Sequence, residues 1–335
     1  MTISRRSFVV AAFLAIFLYG CASAGNLHPS LTPPTILTPT PVVTMPAPPT
    51  ATATSTAIRL TDGTGTEVEL PEPATRIVSL GPSNTEILFV LGGQGQIAGC
   101  DLSSDYPPEA KKLAVIADYP ILNVESIVAL QPDLVLAAEI ISPEQVQSMR
   151  SLGLKVFYLA NPTSLPDDLF ANIRAIGTLT GKRSEAETVI TGLKSRFDAV
   201  KLKSAGATST PVVYFELDAT DPARPYVAGP GSFVDTLIRL AGGRNLGAGL
   251  SSSWATISAE EILREDPDII LLGDTGYGVT VESVAGRPGW KTLNAVKKNA
   301  VYGIDSNLVL RPGPRLADGL EIIARRTHPE IFGVD

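Results

Sequence analysis

From Ile58 onward, short runs of β-branched residues and leucine alternate with stretches whose apolar positions recur every three or four residues. Residues 76–80 (RIVSL) form the first clear β-rich run. Gly81-Pro82 follows. Ser83, with Glu86 three residues later, then predicts a capping box that opens a helix, because each side chain satisfies an otherwise unpaired backbone N–H. Ile87, Leu88, Val90 and Leu91 supply the apolar face of that helix, and Gly92-Gly93 ends it. Further strands are predicted at 133–138, 155–159, 212–217, 268–272 and 300–304, with helical spacing between most of them. This alternation predicts parallel sheets covered on both faces, the α/β class. Between residues 166 and 203, Leu169, Ile173, Ile176, Val189, Leu193 and Phe197 keep helical spacing, with Gly177 and Gly181 as weak points that leave a kink there open. The expected architecture is two Rossmann-like lobes with parallel sheets, 58–165 and 204–335, joined by one long helix at 166–203.

The two halves share a unit. Glu125 is followed seven residues on by Pro132, then by Asp133 and Leu134-Val135-Leu136. Glu260 is followed seven residues on by Pro267, then by Asp268 and Ile269-Ile270-Leu271. In each unit the proline stops a helix and the apolar run is a buried strand. Each half therefore puts a glutamate at the same helix start, and two like lobes would present two acidic points related by an approximate twofold. A first-turn glutamate also complements the helix dipole, and the pattern by itself leaves both roles open.

Residues 1–57 follow a different pattern. Arg5 and Arg6 precede an apolar run from Phe8 to Tyr19, and Gly20-Cys21 follow. A basic start, about 7–15 apolar residues and a small residue make a secretory signal. The run is shorter than the roughly 20 residues that span a bilayer. Leu18-Tyr19-Gly20-Cys21 resembles a bacterial lipobox, so residues 1–20 are expected to be a removed signal peptide and Cys21 to be lipidated. Ser4-Arg5-Arg6-Ser7-Phe8 also resembles a twin-arginine export signal, and the general and twin-arginine routes both stay open. Residues 22–57 contain no Lys, Arg, Asp or Glu, and prolines from Pro29 to Pro49 are interleaved with threonine and alanine. Such a segment lacks backbone donors and buries too little surface to fold. With the lipidated Cys21 it reads as a tether, 21–57. The tether would hold the remainder at the outer face of the cell membrane, the periplasmic side where an outer membrane exists.

Composition narrows the chemistry. The chain has 335 residues, 44% hydrophobic and 18% charged, enough for two domains with a sizeable core. Its net charge of −7 argues against a basic stripe for duplex binding, so no nucleic-acid partner is expected. Of two cysteines and two histidines, Cys21 lies at the lipobox and His28 in the tether. That leaves Cys100, read as a buried free thiol, and His328, read as a residue at a helix end. This is too little for a disulfide framework, a thiolate metal site or a His-rich zinc site. Gly92-Gly93-Gln94-Gly95 ends a helix instead of opening one after a strand, and Ser83 lacks the Gly-x-Ser-x-Gly elbow. The expectation is a monomer that is not an enzyme, with no catalytic residue, resident metal or cofactor.

Residues 76–86 (RIVSLGPSNTE), Asp105-Tyr106-Pro107-Pro108, residues 123–136 and residues 311–315 (RPGPR) together resemble a known family. It is the helical-backbone (class III) substrate-binding proteins of ABC importers, which serve cobalamin, ferric siderophores and haem. The resemblance spans nearly all of residues 72–332. It implies two α/β lobes on one long helix, a ligand cleft between them, and delivery of the ligand to a membrane permease. In that family a glutamate on each lobe docks onto permease arginines. By motif position these are Glu125 and Glu260, and here the docking role overtakes the dipole role. Aromatic ligand contacts of the cobalamin-binding members match Tyr119, six residues before Glu125, and Trp254, six before Glu260. A third aromatic of that pattern is replaced by Ser103. Asn307 falls near a polar ligand position. Arg311, ahead of Arg315, is the candidate to pair with a siderophore carboxylate or a haem propionate; Arg315 alternatively caps a core loop. Tyr106 is read as a structural turn residue and not as a phenolate ligand to haem iron. The implied protein is a lipid-tethered extracytoplasmic binding protein for a metal chelate. Cobalamin or a related corrinoid comes first, a ferric siderophore or haem second. A ligand sensor without a permease is the rival class.

Overall fold

The computed structural model describes residues 57–333; the expected signal peptide at 1–20, Cys21 and the tether up to residue 56 lie outside the described residues. The first elements are β1 (Ile58–Thr61) and β2 (Glu67–Leu70), an antiparallel hairpin absent from the sequence-based expectations. Asp62 at its turn accepts backbone N–H bonds from Thr64, Thr66 and Tyr158 and pairs with Arg150, which fastens the hairpin to the first lobe.

That lobe follows as β3 (Ile77–Leu80), α1 (Pro82–Val90), β4 (Ile97–Asp101), β5 (Val115–Asp118), β6 (Ile121–Leu122), α2 (Val124–Ala129), β7 (Leu134–Ala138), α3 (Pro143–Ser151) and β8 (Val156–Leu159). Its sheet has the order β6-β5-β4-β3-β7-β8, parallel except at β6, so the winding direction reverses between β3 and β7. Helices α4 (Asp167–Leu179) and α5 (Arg183–Ser204) come next.

The second lobe comprises β9 (Val212–Asp218), β10 (Tyr226–Ala228), α6 (Phe233–Leu240), β11 (Arg244–Asn245), β12 (Trp254–Thr256), α7 (Ala259–Glu265), β13 (Ile269–Leu272), α8 (Val281–Val284), α9 (Asn294–Lys297), β14 (Val301–Gly303), α10 (Ser306–Val309), α11 (Leu316–Thr327) and α12 (Pro329–Phe332). Its sheet runs β12-β10-β9-β13-β14, with β11 beside β9. The strands β9, β11, β13 and β14 are parallel, and β10 runs against its neighbours.

Strand side chains alternate as the pleat requires. Ile269 and Leu271 of β13 enter a core shared by both lobes through α4, α5, α6 and α11; Ile270 and Leu272 enter a separate core on the other face. Phe170 of α4 meets Phe197 of α5 edge to face at 6.3 Å.

Two local expectations are corrected. The segment 166–203 is not one helix. It breaks at residues 180–182, and α5 alone carries the chain from one lobe to the other. Gly181 takes φ +73°, the Lys182 N–H bonds back to the Gly177 carbonyl at 2.6 Å, and the Gly181 N–H to Thr178 at 3.4 Å. This is a left-handed helix stop, stronger than the weak point the composition suggested. A Cβ at Gly181 would also meet Pro73 at 3.1 Å. Gly181→Ala is therefore expected to lower stability by about 1–2 kcal/mol, read as a shift in urea midpoint at unchanged slope. The second correction concerns α1. Gly81 at φ 140° is the N-cap and Pro82 the first helical residue, so Ser83 and Glu86 lie inside the helix and form no capping box. Both are buried.

Candidate ligand-binding site

In open α/β sheets the crevice at the carboxyl ends of the strands, where winding reverses, is the place left free of crossing helices. Here both lobes bring that point to one cavity of about 290 Å³. Gly81 follows β3 and Ile140 lies just beyond β7 on one side; Leu217 is the penultimate residue of β9 and Gly273 follows β13 on the other. Three predicted ligand contacts, Tyr119, Asn307 and Arg311, line this cavity. Tyr119 is half exposed beyond β5, and the Asn307 backbone N–H is held by Asp305 at 2.9 Å. Trp254 lies elsewhere. It lines a second interlobe cavity of about 410 Å³, facing Glu139, Asn161 and Thr163 of the first lobe. It packs edge-on against Phe233 at 5.4 Å. Glu139 borders one cavity and its neighbour Ile140 the other, so the two flank each other along the cleft.

Buried polar groups fix the first-lobe wall. The Asp101 carboxylate accepts the Gly81 N–H at 2.8 Å, the Ser104 hydroxyl at 2.7 Å and the Ser103 N–H at 2.9 Å. Ser79, Thr85 and Ser104 continue this as a hydroxyl chain at 2.8 Å per step. Ser103, at the place of the missing third aromatic, thus belongs to the wall itself.

Arg311 and Arg315 reach across the cleft. Arg311 Nη1 donates to Asp105 Oδ1 at 2.6 Å and lies 3.7 Å from Glu86. Arg315 donates to both Glu86 oxygens, at 2.9 and 2.5 Å, and stacks 3.9 Å above the Tyr106 ring. Burial raises the Asp105 carboxyl, but Arg311 outweighs it and holds the group below its ordinary value. Burial of Glu86 outweighs both arginines and leaves its carboxyl above the ordinary value. Arg315 is therefore an interlobe strut, Tyr106 its platform, and Arg311 the arginine that also reaches the cavity.

Glu125 and Glu260 occupy equivalent places. Each is the second residue of its helix, α2 capped by Asn123 and α7 by Ser258. Both are exposed, and neither enters an ion pair among the described residues. The repeat extends into the backbone. Gln131 and Asp266 leave the two helices at φ 47° and 44°. Asp133 then accepts the Arg76 N–H at 3.0 Å, and Asp268 the Val212 N–H at 3.0 Å. Each carboxylate staples its strand to the start of the central one.

Cys100 is buried and free; burial and the Asp101 charge push its thiol up to about 11. His328 caps α11, with Nδ1 2.9 Å from Glu330 and Nε2 3.2 Å from the Gly242 carbonyl. Sequence reasoning passed over Glu216 and Arg287, a buried bidentate pair in the second lobe. An acid inside the apolar strand VVYFELD was the available signal, because a buried carboxylate requires a partner.

A sequence profile described as periplasmic binding protein matches residues 77–308. The chain is 31% identical over 276 residues to the uncharacterized ABC transporter substrate-binding lipoprotein YvrC of Bacillus subtilis, covering 81% of this chain and 85% of that protein. It is 28% identical over 275 residues to a cobalamin-binding protein of Halobacterium salinarum, covering 80% and 73%. Among solved structures, the apo periplasmic heme-binding protein RhuT of Roseiflexus sp. RS-1 superposes with a TM-score of 0.68 at 30% identity, covering 76% of this chain and 98% of that one.

Proposed function

The chain belongs to the periplasmic binding protein family, and from that premise we propose that it captures a corrinoid, cobalamin or a close relative, and hands it to an ABC permease. The observation that carries this reading is the interlobe cavity pair, lined by Tyr119 on one lobe and by Asn307, Arg311 and Trp254 on the other. Aromatic faces bury large areas with few rotamers to freeze, which suits a large flat ligand. The relative named a cobalamin-binding protein supports the choice of chelate. A corrinoid arrives with its metal already coordinated and asks the protein for shape, apolar contact and a few polar groups. Arg311 would meet an anionic group of the ligand, and Asp105 occupies that guanidinium meanwhile. We assign no catalytic residue and no resident cofactor. Glu125 and Glu260 would dock on the permease, and Cys21 would tether the monomeric protein by a lipid to the outer face of the cell membrane.

Haem is the second reading. The similarity to RhuT favours it, as does Tyr277, 87% exposed at the cavity edge, since a phenolate can ligate haem iron. Isothermal titration of the purified protein separates the two. Cyanocobalamin is expected to bind with a submicromolar Kd, and Trp254→Ala to weaken it by about tenfold, the loss of one large stacking contact. Saturation by haemin or a ferric siderophore without heat from cyanocobalamin would reverse the order.

A further inference from the structure

Behind the second-lobe wall of the cavity lies a buried cluster whose charges do not balance. Glu216 of β9 is fully buried. Arg287 donates to it twice, Nη1 to Oε2 at 2.5 Å and Nη2 to Oε1 at 2.7 Å, and the Tyr214 hydroxyl donates to Oε2 at 2.7 Å. Trp290 lies 4.5 Å beneath the guanidinium. Three donors, two of them from one guanidinium, converge on the Glu216 carboxylate. A second carboxyl, Asp274, sits in the same place and is 2% exposed. Its Oδ2 accepts the Ala219 N–H at 3.0 Å, but its Oδ1 is buried and has no donor among the described residues. The charged and titratable groups that face it are Glu216 and Tyr214 from β9 and Arg287 from the segment after α8. One guanidinium thus serves two carboxyls. A second buried negative charge is strongly disfavoured there. A proton on Oδ1 removes that charge and turns the unpartnered oxygen into a donor, with the Glu216 carboxylate as the neighbouring acceptor.

We propose that Asp274 carries this proton, shares it with Glu216, and acts as a proton-dependent positioning residue for the cavity wall. The connection to the wall is covalent and short. Asp274 follows Gly273 and opens the turn Thr275–Tyr277, while Ala219 lies two residues beyond Leu217. Gly273, Tyr277 and Leu217 all line the cavity. The Gly273 N–H is bonded to the Glu216 carbonyl at 2.8 Å. Strands β9 and β13 are fixed inside the sheet, so an ionised Asp274 reaches water only if the turn bearing Tyr277 gives way. Burial first, then the Glu216 charge, push the Asp274 carboxyl up to about 6. A group so raised keeps its proton, and the wall its order, below that value, and loses both as pH rises through it.

That the wall belongs to a ligand site rests on the function proposed above; the proton does not, and its test uses no ligand. In protein labelled with 13C-aspartate, one Cγ signal is expected to titrate near pH 6 and to vanish in Asp274→Asn. Amide exchange over residues 273–278, corrected for its intrinsic pH dependence, is expected to be about tenfold slower at pH 5 than at pH 7.5. In Asp274→Asn, whose amide donates to Glu216 without titrating, exchange should be slow at both. The proposal is overturned if every aspartate of the wild type titrates below pH 5, or if the pH response of 273–278 is the same in both proteins.

Discussion

Arg315→Ala lowers the thermal midpoint at pH 7 by on the order of 10 °C. The pair it breaks is nearly shielded from water, with 13% of the Arg315 side chain and 3% of the Glu86 side chain exposed. Removing one partner of such a pair strands the other charge in a place that cannot solvate it, at a cost of about 3–5 kcal/mol. Arg311, 3.7 Å from Glu86, supplies partial compensation and places the expectation near the lower end. A domain of this size loses about 2–4 °C per kcal/mol. The loss of stacking on Tyr106 adds to the effect. A second variant separates charge from packing. Glu86→Leu combined with Arg315→Met leaves no lone charge and fills similar space, so it is expected to recover more than half of the loss. Calorimetry on the single and double variants decides it: a double variant no better than the single would mean that shape, not charge, holds this corner.

The same residues explain what the sequence revealed and what it hid. The repeat of Glu, proline and apolar strand was legible because each element is encoded within about a dozen neighbouring positions. The structure carries it further, to the paired left-handed residues Gln131 and Asp266 and the strand staples Asp133 and Asp268. Glu86 was misread for a matching reason. Ser-x-x-Glu is a local signature, but Gly81 and Pro82 had already started α1, and the true partner of Glu86 lies 229 residues away. No local pattern carries a pairing that forms only when two lobes meet. The break between α4 and α5 fell between these cases. Gly181 was visible as a weak point, but helical spacing on both sides favoured continuity. The deciding feature was the close approach of Gly181 to Pro73, more than a hundred positions earlier in the chain. Among the ligand candidates, the matched spacing of Tyr119 and Trp254 suggested equivalence. The structure gives them different cavities: Tyr119 lies in the turn between β5 and β6, whereas Trp254 is the first residue of the edge strand β12.

Glu125→Ala together with Glu260→Ala is expected to abolish transport while leaving ligand affinity within about twofold and lowering the thermal midpoint by no more than a few °C. The separation of effects follows from placement. Both side chains are exposed and unpaired among the described residues, and neither lines the two cleft cavities, so their loss strands no charge and opens no void. Their helix-dipole contribution is about 0.3–1 kcal/mol each at most. On a permease surface each would form an exposed ion pair, individually worth about 0–1 kcal/mol. A pair held at fixed spacing by one rigid body gains from the second contact becoming intramolecular. It also sets register, since a like-charge mismatch is penalised more than a match is rewarded. Single variants are therefore expected to keep partial transport and the double variant to lose it. Charge reversal, Glu125→Lys with Glu260→Lys, should be more severe than alanine at low salt and approach it as salt screens the repulsion. Uptake in cells relying on this protein reads transport, and titration of the purified variants reads affinity. Transport that survives the double alanine change would reduce both glutamates to helix-end charges and place the docking surface elsewhere on the lobes.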